Sequence, residues 1–178
     1  MPHFALSAIG ADRPGIVAAV TGALVAHGCN LEDTSMSILR GHFAMMLVVA
    51  GPDGLDAATL EEALAGPAAE MELVVAVRQI DDDVPTSPEG DEWAVAVYGA
   101  DRPGIVHRFA SLLAAAGVNI VDLTTRVIGE PGPPVYAMVL DVTLPDGLDP
   151  VDLARRLDEL AAELGVDCSA HPSEADIL

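Results

Sequence analysis

The chain carries one eight-residue sequence twice: residues 10–17 read GADRPGIV, and residues 99–106 repeat it letter for letter. An alternating apolar run precedes each copy and a run with helical periodicity follows it, which predicts a turn from a strand into a helix. Pro14 suits the first helical position, where a missing N–H costs nothing. Gly15 has no Cβ, so a ligand or another stretch of backbone can approach it closely.

The chemistry that such a turn offers is anion binding. The first N–H groups of an α-helix have no partner within the helix, and they carry a partial positive charge. A carboxylate or a phosphate therefore binds readily at this terminus. A plain connection between strand and helix is the alternative, but two identical copies favour a function, because a connector would tolerate more change.

Two polar positions follow each turn at the same spacing. Asn30 and Asp33 in the first repeat correspond to Asn119 and Asp122 in the second. A side-chain amide both donates and accepts hydrogen bonds, and a carboxylate can neutralise an ammonium group. Together with a helix N-terminus, these groups suit a zwitterion. Local backbone capping by the two asparagines and plain solvent exposure of the two aspartates are the alternatives.

The apolar patterning places these residues on a repeated set of elements. In the first repeat, Gly28 ends the first helix in a left-handed conformation, and residues 40–42 form a hairpin turn. The predicted elements are strands over residues 3–9, 29–39, 43–49 and 71–80, and helices that begin at Ile16 and that cover 57–64. The strand over 43–49 is apolar enough to be central.

The second repeat follows the same order, with a longer hairpin. Gly117 ends its first helix as Gly28 does, and residues 130–134 form the insertion that lengthens the hairpin by four residues. Its elements are strands over 93–98 and 166–171, strands that begin near Asn119 and near Tyr136, and helices from Ile105 and over 151–164.

The fold class that follows is α+β, with two ferredoxin-like βαββαβ units in tandem, each a four-stranded antiparallel sheet with two helices on one face. We expect domains over residues 1–80 and 93–172, an acidic linker over 81–92 and a loose tail over 173–178. The two units either share an extended sheet or stack their sheets face to face, and the sequence leaves both arrangements open.

Composition argues against several classes of function. The net charge is −20, and arginine supplies all eight basic residues, so a nucleic-acid backbone or an anionic membrane would repel the chain. Cys29, Cys168 and the five histidines show no metal-ligand spacing, so we expect buried free thiols, no metal and no cofactor. We also expect a cytoplasmic protein, since no signal peptide or membrane-spanning run is present.

No arrangement typical of an active site appears, so we expect that the protein is not an enzyme. There is no nucleophile motif and no phosphate-binding loop with lysine. His107 follows Gly104 by three residues and is within reach of the second turn, but Ala18 stands at the same place in the first repeat. A surface histidine is therefore the favoured interpretation.

The repeated motifs resemble those of a known family. A βαββαβ unit with Asp-Arg-Pro-Gly-Ile-Val at its first turn, and Gly-x-Asn-x-x-Asp at the start of its second strand, is similar to the ACT domain. Two such units without a catalytic domain resemble the stand-alone tandem ACT proteins grouped with the glycine cleavage system transcriptional repressor. Paired units of this kind also regulate phosphoserine phosphatase and formyltetrahydrofolate deformylase.

The resemblance implies a regulatory protein that binds a small amino acid, glycine or one like serine, where ACT units meet. It implies a protein partner, in the repressor family a transcription activator, and a homo-oligomer. The turn backbone would hold the ligand carboxylate, the asparagines would contact the ligand, and the aspartates would meet its ammonium group. Arg13 and Arg102 would contact ligand or pair with an acidic neighbour. The ligand-binding residues it implies are Gly10, Ala11, Asp12, Arg13, Pro14, Gly15, Ile16, Asn30, Asp33, Gly99, Ala100, Asp101, Arg102, Pro103, Gly104, Ile105, Asn119 and Asp122.

One other function is still open. The chain could be a dimerisation module that serves as the detached regulatory subunit of a metabolic enzyme without binding any ligand, since sheet edges of this fold pair readily. The repeats also differ at residues 34–36, TSM, against 123–125, LTT. Equal affinity at the two turns is therefore not assured.

Overall fold

The structure is a computed structural model that describes residues 1–81, 90–128 and 135–173. The chain divides into a first unit, Met1–Val84, and a second unit, Pro85–Leu178. The first unit consists of β1 (His3–Ala11), α1 (Ile16–Ala26), β2 (Asn30–Leu39), β3 (His42–Ala50), α2 (Ala57–Met71) and β4 (Val74–Ile80). The second consists of β5 (Asp91–Gly99), α3 (Ile105–Ala115), β6 (Asn119–Ile128), β7 (Val135–Leu144), α4 (Pro150–Leu164) and β8 (Val166–Pro172).

Each unit contains one antiparallel sheet of four strands, in the order β2-β3-β1-β4 and β6-β7-β5-β8. β3 is central, as its apolar sequence predicts. The ferredoxin-like fold expected for each repeat is therefore confirmed. Alternating residues of β1, such as Phe4 and Leu6, are buried with the apolar stripe of α1, while Ile9 and Met46 stay exposed. The helices therefore cover one face of the sheet and leave the other open.

The ends of α1 and α3 follow the prediction. Gly28 and Gly117 have φ of 72° and 74°, in the left-handed region. The residue after each glycine donates its N–H to a carbonyl in the last turn of the helix, Cys29 to Leu24 and Val118 to Leu113, both at 3.0 Å. This hydrogen-bonding pattern satisfies carbonyls that the helix leaves without partners.

The start of α1 differs from the prediction. Pro14 does not occupy the first helical position, because α1 begins at Ile16 with Gly15 as its N-cap. Gly15 has φ of 95°, and Gly104 has φ of 93° at the start of α3. A residue with a Cβ is strained in this conformation, so the reversal of chain direction itself requires glycine.

The second helix of the first unit is longer than its sequence indicates. The prediction ended this helix at Leu64, but α2 continues through Pro67 to Met71, and β4 begins at Val74 rather than at residue 71. Ala68 and Met71 pack against the core beyond the proline. This packing compensates for the hydrogen bond that Pro67 cannot donate.

The linker and the tail are only partly described. Asp91 and Glu92, which we assigned to the linker, are the first residues of β5 and pair with Leu144 and Thr143. Ser173, the first tail residue, donates its N–H to the carbonyl of Glu92 at 2.8 Å. The rest of the linker over 82–89, the insertion over 130–134 and the tail over 174–178 lie outside the described residues.

Candidate functional site

The two helices that follow the duplicated turns begin without a side-chain cap. Their N-cap residues, Gly15 for α1 and Gly104 for α3, make no side-chain hydrogen bond to the first turn. The other two helices are capped: Asp56 accepts from the N–H of Thr59 at 2.8 Å, and Asp149 from that of Val151 at 2.9 Å. The hydrogen bond from Thr59 lowers the pKa of Asp56. Unpaired N–H groups are thus concentrated at the duplicated turns.

Each uncapped helix start borders an open cavity. The first turn pocket has a volume of about 500 Å³ and is lined by Asp12, Arg13, Pro14, Gly15, Ile16, Val17, Ala18, Met36 and Phe43. The second turn pocket has a volume of about 440 Å³ and is lined by Asp101, Arg102, Gly104, Ile105, Val106, His107 and Tyr136. Both are large enough for a small amino acid, and each lies within a single unit.

The backbone donors available in the first turn pocket are fewer than the motif suggests. The N–H of Asp12 donates to the carbonyl of Gly41 in the hairpin turn at 2.9 Å, and Pro14 has no N–H. The helix begins at Ile16, so the N–H groups of Ile16 and Val17 belong to the first turn, which has no partner within the helix. A carboxylate in this pocket would therefore be bound by the start of α1 rather than by the whole turn.

The glycines of the repeated motif have two different roles. A Cβ on Gly10 would lie 2.7 Å from Leu73 Cδ2 and 2.9 Å from the carbonyl oxygen of Glu72. A Cβ on Gly99 would lie 2.7 Å from Val166 Cγ1. These two glycines permit close packing and do not line the pockets, whereas Gly15 and Gly104 do line them and are required by their positive φ.

The motif arginines bind the end of the second helix in each unit. Arg13 forms an ion pair with Glu72, the C-cap residue of α2, at 3.1 Å. Arg102 donates from Nη1 to the carbonyl of Leu164, the last residue of α4, at 2.9 Å. Both positive charges therefore lie at the negative end of a helix dipole. An acidic partner, which the sequence suggested, is present for Arg13, and a carbonyl takes its place for Arg102.

The asparagines and aspartates lie far from the turn of their own unit. Asn30 is opposite Ala50, which is opposite His3 at the start of β1, whereas the turn follows Ala11 at its end. Eight residues of strand separate those ends by roughly 25 Å.

The second unit shows the same separation. Asn119 is opposite Thr143, which pairs with Glu92 at the start of β5, and the turn follows Gly99 at the end of that strand. In neither unit does the structure bring the asparagine to the turn pocket.

The two aspartates occupy matching irregular positions. Asp33 and Asp122 each directly follow a shift in the register of their strand. Asp33 accepts from the N–H of Thr34 at 2.8 Å, and Asp122 accepts from the hydroxyl of Thr124 at 3.4 Å. Both side chains are exposed. Each carboxylate thus has a local hydrogen bond and leaves oxygens open to solvent.

The residues at the base of the two pockets were not among the predicted site residues. Phe43 is opposite Gly10 and Tyr136 is opposite Gly99, so they hold equivalent places. The alignment of Phe-Ala-Met with Tyr-Ala-Met between the repeats was the available signal, but without a sheet register it pointed to no site. Met36, which also lines the first turn pocket, lies in the stretch where the two repeats were seen to differ, but that difference did not place it at the turn.

Tyr136 gives the second turn pocket a polar group that the first lacks. Only 8% of Tyr136 is exposed. Burial raises the pKa of its phenol, the negative charge of Asp101 raises it further, and a hydrogen bond with the Thr125 side chain lowers it in part. The phenol is therefore neutral at pH 7 and is able to donate or accept a hydrogen bond. His107 is exposed at the same pocket, at the place where the first unit has Ala18.

Other kinds of site are not found in the described residues. Within residues 1–81, 90–128 and 135–173, no group of three or more His, Cys, Asp or Glu side chains is placed to hold a metal ion. Cys29 and Cys168 are free thiols; Cys29 is buried as expected, and Cys168 is only partly buried. Among the helices in those ranges, none combines the length and the apolar character needed to cross a bilayer.

Comparison with known proteins agrees with this architecture. Family models described as the ACT domain match residues 3–78 and residues 94–162. The chain is 28% identical over 170 residues to the glycine cleavage system transcriptional repressor of Escherichia coli (strain K12), covering 94% of this chain and 88% of that protein.

Two further proteins are similar to most of this chain, and the second of them is a longer enzyme. A crystal structure of a protein from Galdieria sulphuraria, described as an unknown protein, superposes with a TM-score of 0.82 at 29% identity, covering 97% of this chain and 99% of that one. The phosphoserine phosphatase SerB2 of Mycobacterium tuberculosis is 29% identical over 167 residues, covering 91% of this chain but 39% of that enzyme.

Proposed function

Because the chain belongs to the ACT domain family, with one ACT domain in each unit, we propose that it is a regulatory protein that senses a small amino acid. The ligand carboxylate binds the N–H groups at the start of α1 and of α3. The observation that carries this proposal is that, among the four helices of the described residues, only these two begin without a side-chain cap, and each borders a cavity.

The amino acid that best fits the proposal is glycine or one like serine. The name of the E. coli relative refers to glycine cleavage, and that of the Mycobacterium relative refers to phosphoserine. The pockets border the helix starts directly, so a ligand with a small side chain places its carboxylate at the N–H groups without steric conflict.

We infer that the asparagines and aspartates contribute to a site that a second copy of the chain completes. Within one unit, Asn30 lies at the opposite end of the sheet from the turn. A ligand held at a turn pocket would therefore contact a strand such as β2 only if another unit supplied it. A homo-oligomer that brings these strands to the pockets satisfies this requirement.

The regulatory output passes through a protein partner rather than through DNA. A net charge of −20 opposes binding to the phosphate backbone, which depends on basic residues. We place this action in the cytoplasm, where the free thiols Cys29 and Cys168 would remain reduced. The role is non-enzymatic, in agreement with the repressor named among the relatives.

A second candidate function is a dimerisation module that binds no metabolite. The open sheet faces support it, because large apolar side chains remain exposed there, including Ile9 and Met46 in the first unit and Tyr98 and Val139 in the second. Such surfaces are typical of protein contacts. Ligand binding decides between the two functions.

The test is calorimetric titration of the full chain with each of the twenty amino acids, together with thermal denaturation. We expect heat and an increase in Tm with glycine or serine, because ligand that binds only the folded state stabilises it by about 2.7 kcal/mol at a concentration of 100 times Kd. A folded protein that gives neither response with any amino acid would favour the dimerisation module.

Variants of the two turn glycines assign the binding to the pockets. G15L and G104L each place a side chain at the start of one helix, and we expect each to remove the binding of one pocket. G54L and G147L are matched controls, since Gly54 and Gly147 also have positive φ, of 87° and 82°, and lie outside both pockets. Full binding in the first pair would exclude the turns as the site.

A further inference from the structure

The two turn pockets start from the same eight-residue turn but have chemically different bases. The base of the first is apolar: Phe43 is 2% exposed, and Met36 stands beside it. In the second, Tyr136 replaces Phe43. The register places Thr125 opposite Met138, as Met36 is opposite Met45, so a hydroxyl-bearing residue replaces a thioether next to the base.

The phenol of Tyr136 lies near a charged group and a hydroxyl group of its own unit. Burial raises the pKa of this phenol, the negative charge of Asp101 raises it further, and the Thr125 side chain on the neighbouring strand β6 lowers it in part. Asp101 and Tyr136 both line the second turn pocket. Tyr136 is therefore part of the pocket lining, together with an acidic residue of the repeated turn.

This difference affects which ligands each pocket can distinguish. A site built to hydrogen-bond a ligand hydroxyl discriminates strongly against an analogue without it, whereas an apolar site gains little from one extra polar group and rejects it weakly. The second pocket has a neutral phenol that can accept from or donate to a ligand hydroxyl. The base of the first pocket has no such group.

We propose that the second turn pocket selects amino acids whose side chain carries a hydroxyl, through Tyr136 as the specificity-determining residue, and that the first prefers those with an apolar side chain or none. This inference rests on the proposed function, since it assumes that the turn pockets bind amino acids. The chain then senses two classes of ligand, one in each unit.

The experiment measures serine, alanine and glycine binding to the full chain by calorimetry, with one pocket blocked at a time. In G15L, where the second pocket remains, we expect serine to bind at least about 10-fold more tightly than alanine. In G104L, where the first pocket remains, we expect a ratio near one or in favour of alanine. Equal binding of serine and alanine in G15L would overturn the inference.

Exchanging the residues at the base of the two pockets tests whether Tyr136 determines the specificity. Adding Y136F to G15L should bring serine affinity down to that of alanine, whereas Y98F removes the other tyrosine hydroxyl of the chain, on the exposed face of the same sheet, and should keep the preference. Adding F43Y and M36T to G104L should create a serine preference there. A preference that persists in Y136F, or fails to appear in the exchanged first pocket, contradicts the assignment.

The outcomes for the two proposals are distinct. Amino-acid binding at both turns without discrimination overturns only the difference in selectivity and leaves the sensing function standing. No binding of any amino acid to the folded wild-type chain overturns both. Circular dichroism and Tm of every variant establish that loss of binding does not come from unfolding.

Discussion

Gly10 has a structural role that its sequence motif does not indicate. The motif suggested a ligand contact, but the neighbouring atoms are Leu73 Cδ2 and the backbone of Glu72. Only the packing of the connection between α2 and β4 against β1 reveals this role, and that packing joins residues more than sixty positions apart. Gly15 was different, because a glycine next to a proline at a helix start is a local signal.

Substitution of Gly10 should therefore destabilise the first unit. A Cβ at this position lies within 3.0 Å of backbone that cannot move away, so we expect G10A to lower the free energy of unfolding by about 1–3 kcal/mol. Gly22, in the middle of α1, has open space around it, and G22A should raise stability by up to about 1 kcal/mol. Urea denaturation of both variants checks this, and equal effects would contradict it.

Cys168 should make stability fall at alkaline pH. Burial, and then the charge of Asp158, raise the pKa of its thiol to about 11 from 9.0. The folded state therefore keeps a proton that the unfolded state loses, so this contribution is complete below pH 9 and disappears as pH approaches 11. C168A should lose less stability over this range than the wild type in denaturant titrations. Parallel curves for the two proteins would show that the thiol does not contribute.

The elements themselves were largely predictable, because local patterns specify them. Alternation marked the strands, the stripe of Ile16, Val20 and Leu24 marked α1, and Gly28 marked its end. The exception is the end of α2. Gly66 and Pro67 are strong local stop signals, yet Ala68 and Met71 reach the core and the helix continues. Tertiary packing there outweighs propensity, and no local pattern records it.

Only the part of the site formed by the start of a helix was predictable from the sequence. The uncapped starts of α1 and α3 follow from the repeated motif, since glycine and proline offer no capping oxygen. The separation of Asn30 from the turn depends on the register of β2 against β3, which the sequence leaves undetermined. The base residues Phe43 and Tyr136 depend on the same registers. Long-range pairing therefore decides which of the motif residues share a pocket.

At the scale of the whole molecule, the dominant property is a net charge of −20 on 178 residues. Few basic residues offset it. In the described part of the chain, Arg155 pairs with Asp152 and Glu159 on α4, and Arg13 and Arg108 pair with one glutamate each, Glu72 and Glu163. Most carboxylates thus repel one another across the surface. This self-repulsion destabilises the compact state and opposes contact with any polyanion.

Because of this charge, we expect salt to raise the thermal stability of the chain. A nucleic-acid-binding protein, by contrast, is recognised by an affinity for DNA that salt weakens. Salt screens repulsion over a Debye length of about 30 Å at 0.01 M and about 10 Å at 0.1 M, so Tm should increase with NaCl through this range. Duplex DNA should not bind even at the lowest salt, where electrostatic attraction would be greatest. Thermal melts in a salt series and a gel-shift assay check the two parts. A Tm that falls with salt would mean that attractive pairs dominate, and a shifted DNA band at low salt would require a direct nucleic-acid contact in place of a protein partner.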